Sequence, residues 1–288
     1  MVKVTRRELL KTSMAGAAAL GFPSLNHAAD GAAVSRKGRI HQSACQWCYP
    51  HIPIPQLAEF GAQIGLRAID LLQPDEFEIP RRYGLVCAMG YAGGGEIRNG
   101  LNRTENHAAI EQAFRKNIPR AAKAGVPSVI TFSGNRAGMS DDEGARNTIA
   151  GLNRLKKIGE DNGVNICLEL LNSKHDHPDY MCDHTAWSVQ VVQEVNSPNV
   201  KLLYDIYHMQ IMEGSLIETI RRNIQWIGHF HTGGVPGRHE LDGTQEVQWD
   251  GVMRAIAESG YKGYVAHEFV PTGDPMTSLR AAVELCDV

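Results

Sequence analysis

Several features are missing from this chain of 288 residues, and each absence narrows what it does. No apolar run reaches the roughly 20 residues that a helix needs to cross a bilayer. The run from Ser13 to Leu25 is too short for a stable span and rich in Ala and Gly. No GxGxxG follows the first strand-like segment, which argues against a dinucleotide-binding fold. A single CxxC is present, Cys45-Gln46-Trp47-Cys48. It looks like a redox or metal pair, but no second CxxC completes a zinc site and no thioredoxin-like βαβ pattern follows. The export reading below would permit a disulfide there. Cationic stretches are scarce too. Residues 1–29 carry Lys3, Arg6, Arg7 and Lys11 against Glu8, while the whole chain has a net charge of −3. The remainder is therefore acidic, at about −6, with no basic stretch to follow a phosphate backbone, and nucleic acid is not expected as a partner.

What is present begins with Thr5-Arg6-Arg7-Glu8-Leu9-Leu10-Lys11, then the apolar run, then Asn26-His27-Ala28-Ala29. Residues 1–29 resemble a twin-arginine export signal, which implies a periplasmic or otherwise extracytoplasmic protein with no stable membrane span after processing. Residues 30–288 are expected to form one domain. About 260 residues suit a (β/α)8 TIM barrel, which needs roughly 250. A 43% hydrophobic content is enough for a sizeable core.

From residue 41 onward, strand-like and helix-like runs alternate. Expected strands are Ser43–Trp47, Ala68–Leu72, Leu85–Met89, Ser128–Phe132, Asn165–Leu170, Val200–Tyr204, Ile227–His231 and Tyr264–Glu268. Expected helices include Ala108–Ala124, Glu143–Asn162, Ala186–Val195, Gly214–Asn223, Trp249–Ser259 and Met276–Cys286. The second unit is short: Asp75–Tyr83 holds Pro80 and has room for a loop with one helical turn. Eight strand–helix units in one domain favour a closed parallel barrel over an open sheet. Gly125, Gly163 and Gly260 stand where helices should end. Cys87 and Cys167 lie inside apolar strand-like runs and read as core. Two long loops, Gly90–Glu105 and Thr232–Gln248, follow strands, so they belong on the C-terminal face where barrel enzymes place their sites.

The last four strand-like runs finish in Cys167-Leu168-Glu169-Leu170, Leu203-Tyr204-Asp205, His229-Phe230-His231 and Ala266-His267-Glu268. Each places a potential metal ligand within apolar sequence, one βα unit after the last. In a barrel, Glu169, Asp205, His231 and Glu268 converge at one mouth. Any one of them alone is as well explained as a helix cap, a salt-bridge partner or a satisfied core histidine; four at successive strand ends are not. Buried carboxylates held together are costly, and a divalent cation offsets that cost. Three carboxylates and one imidazole suit a hard ion, Mn2+, Mg2+ or Co2+.

The runs Tyr204-Asp205-Ile206-Tyr207-His208-Met209-Gln210, Val235-Pro236-Gly237-Arg238-His239-Glu240 and Glu169-Leu170-Leu171-Asn172 resemble the hydroxypyruvate isomerase family of the xylose-isomerase-like TIM barrel superfamily. That superfamily also holds ketose 3-epimerases. The resemblance spans roughly residues 100–271. It implies that Glu169, Asp205, His231 and Glu268 bind one divalent metal, that Glu169 and Glu268 form the acid/base pair, and that His208 and Arg238 contact substrate oxygens. It also implies an isomerase interconverting hydroxypyruvate and tartronate semialdehyde, or a similar small hydroxy-carbonyl compound, and a possible homo-oligomer. Two positions depart from the pattern. His231 stands where hydroxypyruvate isomerases carry Gln, as in ketose 3-epimerases, and His175 stands where relatives have an acidic residue.

The chemistry is enediolate proton transfer. A cation and preformed donors such as Arg238 and a protonated or hydrogen-bonding His208 stabilise the developing oxyanion. One carboxylate takes the proton, which returns to the neighbouring carbon in an isomerase or to the opposite face in a 3-epimerase. His175 is a candidate substrate contact. Trp47 either walls the pocket or packs into the core. Lys174, His177 and Asp179 lie on the loop after Glu169, a candidate lid. His239 and Glu240 either orient Arg238 or lie on a solvated loop. His267 should face the other side of its strand from Glu268. A ketose 3-epimerase, or a sugar-binding barrel without turnover, remain alternatives. Phosphodiester cleavage would need more histidine ligands and a basic groove.

Overall fold

A computed structural model describes residues 37–288. The export-signal reading of residues 1–29 lies outside the described residues. Nine strands form one sheet in which each ladder is parallel: β1 His41–Cys45, β2 Ala68–Asp70, β3 Val86–Cys87, β4 Met89–Tyr91, β5 Ser128–Thr131, β6 Asn165–Glu169, β7 Val200–Asp205, β8 Ile227–Thr232 and β9 Tyr264–His267. The hydrogen-bonded order is β3-β2-β1-β9-β8-β7-β6-β5-β4, so first and last strands pair and the sheet wraps round.

The two ends of that order are pieces of one barrel strand. Only Ala88 separates β3 from β4. β3 pairs with β2, whereas β4 pairs with β5. A bridge between Leu72 and Gly90 closes the ring, with Leu71 N donating to Met89 O at 2.6 Å and Tyr91 N to Leu72 O at 2.9 Å. The ring is thus a (β/α)8 TIM barrel. The single strand expected at Leu85–Met89 is replaced by two short ones reaching Tyr91. Leu71 takes a left-handed backbone (φ 60°), which ends β2 and changes which residues of the next strand it meets.

Among the described residues eight helices surround the strands: α1 Ile54–Ile64, α2 His107–Ala124, α3 Asp141–Asn162, α4 Thr185–Val195, α5 Ile206–Met212, α6 Leu216–Asn223, α7 Trp249–Glu258 and α8 Pro275–Leu285. The second unit has only a 3-10 turn, Ile79–Tyr83. α3 shows how local chemistry sets the bounds. Ser140 Oγ accepts from Glu143 N at 3.2 Å, three acidic residues occupy the first turn, and Gly163 ends the helix at φ 65°. α5 was not legible beforehand; it starts immediately after Asp205, whose Oδ1 accepts from His208 N at 3.2 Å.

Strand residues are buried on both faces, as expected where helices cover a parallel sheet. Leu168, Leu202, Phe230 and Val265, which alternate with the inward-facing strand residues, are fully buried beneath the helices. Cys87 and Cys167 lie in that core, and all six cysteines are unpaired thiols, so Cys45 and Cys48 are not bridged. Among the described residues no helix is long and apolar enough to cross a membrane.

Candidate metal centre

The C-terminal ends of four neighbouring strands deliver four donors to one point. Glu169 ends β6, Asp205 ends β7, His231 is the penultimate residue of β8, and Glu268 follows β9. Parallel register holds them level, with Asp205 opposite His231 and His231 opposite Ala266. A ligand atom from each lies within 4.8 Å of one from every other, and all four residues are buried. His231 Nδ1 is 2.8 Å from Glu268 Oε2 and 3.6 Å from Glu169 Oε1, yet it has no hydrogen bond of acceptable geometry. A buried ring nitrogen aimed at carboxylates without bonding to them fits a cation ligand. So does the excess charge: three carboxylates face a single guanidinium, Arg238. Burial, reinforced by Glu268 and Glu169 and opposed by Arg238, pushes Asp205 up to about 7. Burial raises Glu169 as well. Burial works against Glu268 too, but Arg238 and His231 outweigh it and hold that carboxylate well below its usual range.

The other ring nitrogen of His231 faces the barrel interior. Nε2 is 3.9 Å from Asp70 Oδ2 and 3.7 Å from Cys45 Sγ. Asp70 also binds His229 Nε2 at 2.6 Å. The layer beneath the cluster therefore holds the His231 ring so that Nδ1 faces the carboxylates. Sequence reasoning did not identify Asp70, which lies inside the strand-like run Ala68–Leu72; in the structure it ends β2 as Asp205 ends β7.

Arg238 lies across the mouth. Its Nη2 donates to Glu268 Oε2 at 2.6 Å and to Asp205 Oδ2 at 3.4 Å, and its Nε donates to Glu268 O at 3.2 Å. The rings of Trp47 and Tyr207 flank its guanidinium, each 5.2 Å away. Trp47 is 39% exposed and its Nε1 donates to Glu268 Oε1 at 2.6 Å, so it walls the pocket rather than packing into the core. His208 is fully buried, with Nε2 3.6 Å from Asp205 Oδ2.

His175 is placed elsewhere. Its side chain is exposed, and its backbone N donates to Asn172 Oδ1 at 3.0 Å. The turn capped by Asn172 directs His175 to the surface and returns His177, which lies 5.3 Å from the His208 ring. The same loop is anchored by Lys174 Nζ on Ile211 O at 2.7 Å and by Asp179 Oδ2 on Ala137 N at 2.7 Å. Of the candidate lid residues, His177 reaches the site. His239 and Glu240 bond to Val270, Thr272, Gly273 and Ser278, away from the donors. His267 faces outward to Gln42 Oε1 at 2.8 Å and Thr232 Oγ1 at 3.2 Å, and burial pushes it down to about 3.

Comparison with known proteins agrees with this fold. Residues 79–287 match the family model for the xylose isomerase-like TIM barrel. The chain is 26% identical over 266 residues to a putative hydroxypyruvate isomerase of Mus musculus, covering 90% of this chain and 87% of the relative. It is 29% identical over 222 residues to a 2-oxo-tetronate isomerase of Cupriavidus necator, covering 73% and 85%. The solved structure of a 3-keto-D-glucoside 4-epimerase from E. coli superposes with a TM-score of 0.74 at 18% identity, covering 86% of this chain and 98% of that one. The fold defines a barrel of the xylose isomerase-like class, with a cluster of four potential ligands at its strand ends. The chain belongs to the xylose isomerase-like TIM barrel family, and with named isomerases matching over most of its length it is an isomerase of that family.

Proposed function

We propose that this enzyme is a divalent-metal-dependent isomerase of small hydroxy-carbonyl acids, of which hydroxypyruvate and tartronate semialdehyde are the first pair to test. The observation that carries the reading is the convergence of Glu169, Asp205, His231 and Glu268, with Arg238 and His208 facing the same space. The isomerases of hydroxy-carbonyl acids among the relatives support the substrate class. Those four residues would hold the cation, which supplies positive charge where the oxyanion of an enediolate develops.

The chain's own groups do the rest. Arg238 adds fixed positive charge and a planar donor fork suited to a carboxylate or an oxyanion. Glu169 ends β6 and Glu268 follows β9, with β7 and β8 between them, and the two flank the space from two sides. One takes the proton from the carbon beside the carbonyl, and the same or the opposite carboxylate returns it. Trp47 and Tyr207 exclude water from the guanidinium face.

A ketose 3-epimerase is the second reading, favoured by one observation: the third donor is His231, the residue that the resemblance assigns to epimerases. Residues 1–29 fit export to the periplasm; fractionation of cells producing the whole chain checks this, and activity confined to the cytoplasm would refute it. The functional test is proton NMR in heavy water with metal-loaded enzyme and a panel of hydroxypyruvate, ketohexoses and keto-inositols. Deuterium uptake into hydroxypyruvate is expected. Uptake only into a ketohexose would favour the epimerase. Binding without uptake would replace both with a sugar-binding barrel.

A further inference from the structure

We infer that Asn172 is a positioning residue that locks His208 as a neutral imidazole carrying its proton on Nε2, so that His208 serves as a hydrogen-bond donor to the substrate oxygen. The last clause rests on the functional reading above. The lock itself follows from hydrogen bonds within this chain.

Asn172 is fully buried, three residues beyond Glu169, and all four positions of its side-chain amide are engaged. Oδ1 accepts from the backbone N of His175 and of Asp176, each at 3.0 Å. Nδ2 donates to Asp176 Oδ2 at 2.7 Å and lies 2.6 Å from His208 Nδ1. Turning the amide over would set its oxygen against the Asp176 carboxylate and its NH2 against two backbone donors. The orientation is therefore fixed by the network rather than open to choice. An amide N–H then points at Nδ1, which can only accept, and the neutral ring carries its proton on Nε2. An imidazolium would face an N–H with an N–H.

The freed donor has nothing to bond to within the protein. His208 Nε2 is buried without a hydrogen-bond partner among the described residues, and at 3.6 Å Asp205 Oδ2 is too far to bond to it. His177 lies 5.3 Å from the ring and Tyr207 packs edge-on at 5.0 Å, leaving the ring little room to turn. A buried, oriented and unused donor beside the cluster is suited to an oxygen that arrives with the substrate. Neutrality has a chemical consequence. A neutral imidazole holds its remaining proton far more tightly than an imidazolium, so it stabilises a developing oxyanion without surrendering that proton. Proton transfer is thereby left to the carboxylates. The two members of the pair recur at one spacing, Glu169-x-x-Asn172 and Asp205-x-x-His208, so each strand end supplies a cluster donor and the following turn supplies its helper.

The test is long-range proton–nitrogen NMR of the enzyme labelled at its histidine ring nitrogens and loaded with Mg2+, with His208 assigned by its loss in His208→Gln. At neutral pH the wild type should show a bare Nδ1 and a protonated Nε2. Asn172→Asp replaces the donor with an acceptor. It should put a proton on Nδ1 and lower kcat for solvent exchange about 100-fold, with a smaller change in KM. A protonated Nδ1 in the wild type, or a bare Nδ1 in Asn172→Asp, overturns the lock; if that variant does not fold, the wild-type spectrum decides. The expected tautomer without exchange into any substrate would instead overturn the functional reading and the donor role. The other tautomer in an exchanging enzyme would overturn the lock alone.

Discussion

Arg238 meets two carboxylates of the cluster, a backbone carbonyl and two aromatic rings. Lysine cannot make the fork or lie flat between the rings. Arg238→Lys should therefore lower kcat/KM by about 100-fold while thermal unfolding stays cooperative, checked by steady-state kinetics beside a melting curve. The acid/base pair makes a sharper prediction. Glu169→Gln and Glu268→Gln preserve shape and remove the proton acceptor, so each should cut solvent exchange by about 10²- to 10⁴-fold. Exchange near the wild-type rate in either variant would remove that residue from the pair. The four donors were legible in the sequence because each is a potential metal ligand near the end of an apolar run, one βα unit after the last. Asp70 does not follow that rule: it lies inside the run Ala68–Leu72, and its partner His229 comes 159 positions later, a pairing that only the closed barrel reveals. His175 misled because spacing from Glu169 says nothing of how a turn capped by Asn172 directs its side chains.

Among the elements, the loop after β4 packs closely against its neighbour. Gly94 runs against β5: an added Cβ would collide with Ile130 O and lie 2.9 Å from Thr131 Cα. Gly94→Ala should cost about 1–3 kcal/mol, read as a shift in the urea midpoint. The loop after β8 is tied down differently. Glu240 accepts from Thr272 N at 2.7 Å, Thr272 Oγ1 at 2.9 Å and Ser278 Oγ at 2.9 Å. Burial works to raise this carboxyl, but those bonds and its own backbone N–H outweigh it and bring it down to about 2. Its folded value lies below the unfolded value of about 4.3. Its stabilisation is thus complete above that pH and is lost as pH falls from about 4.3 towards 2. Allowing for solvent screening, about 1 kcal/mol is at stake. Glu240→Gln should flatten this part of the stability–pH curve, and an unchanged slope would contradict the assignment. Long amphipathic helices were readable because their period and caps are local. The division of the third barrel strand at Ala88 was not, because it depends on β2 and β5 being neighbours on opposite sides.

For the whole molecule, the cluster draws on four neighbouring strands of one closed ring, so a cation bound there would couple to barrel stability. A ligand at 100 times its Kd stabilises the native state by about 2.7 kcal/mol. For a domain of this size that is a rise in Tm of about 5–10 °C. Chelation should reverse it, and Asp205→Asn should abolish most of the difference between loaded and stripped protein. Alternation of strand and helix made the barrel legible from the sequence, whereas ring closure through the Leu72–Gly90 bridge could be seen only in three dimensions. The central claim is that one cation sits among Glu169, Asp205, His231 and Glu268. Anomalous diffraction from Mn2+-loaded crystals tests it directly. The account predicts one strong peak enclosed by those four side chains and none in Asp205→Asn. An empty cluster, with manganese bound elsewhere or not at all, would contradict it.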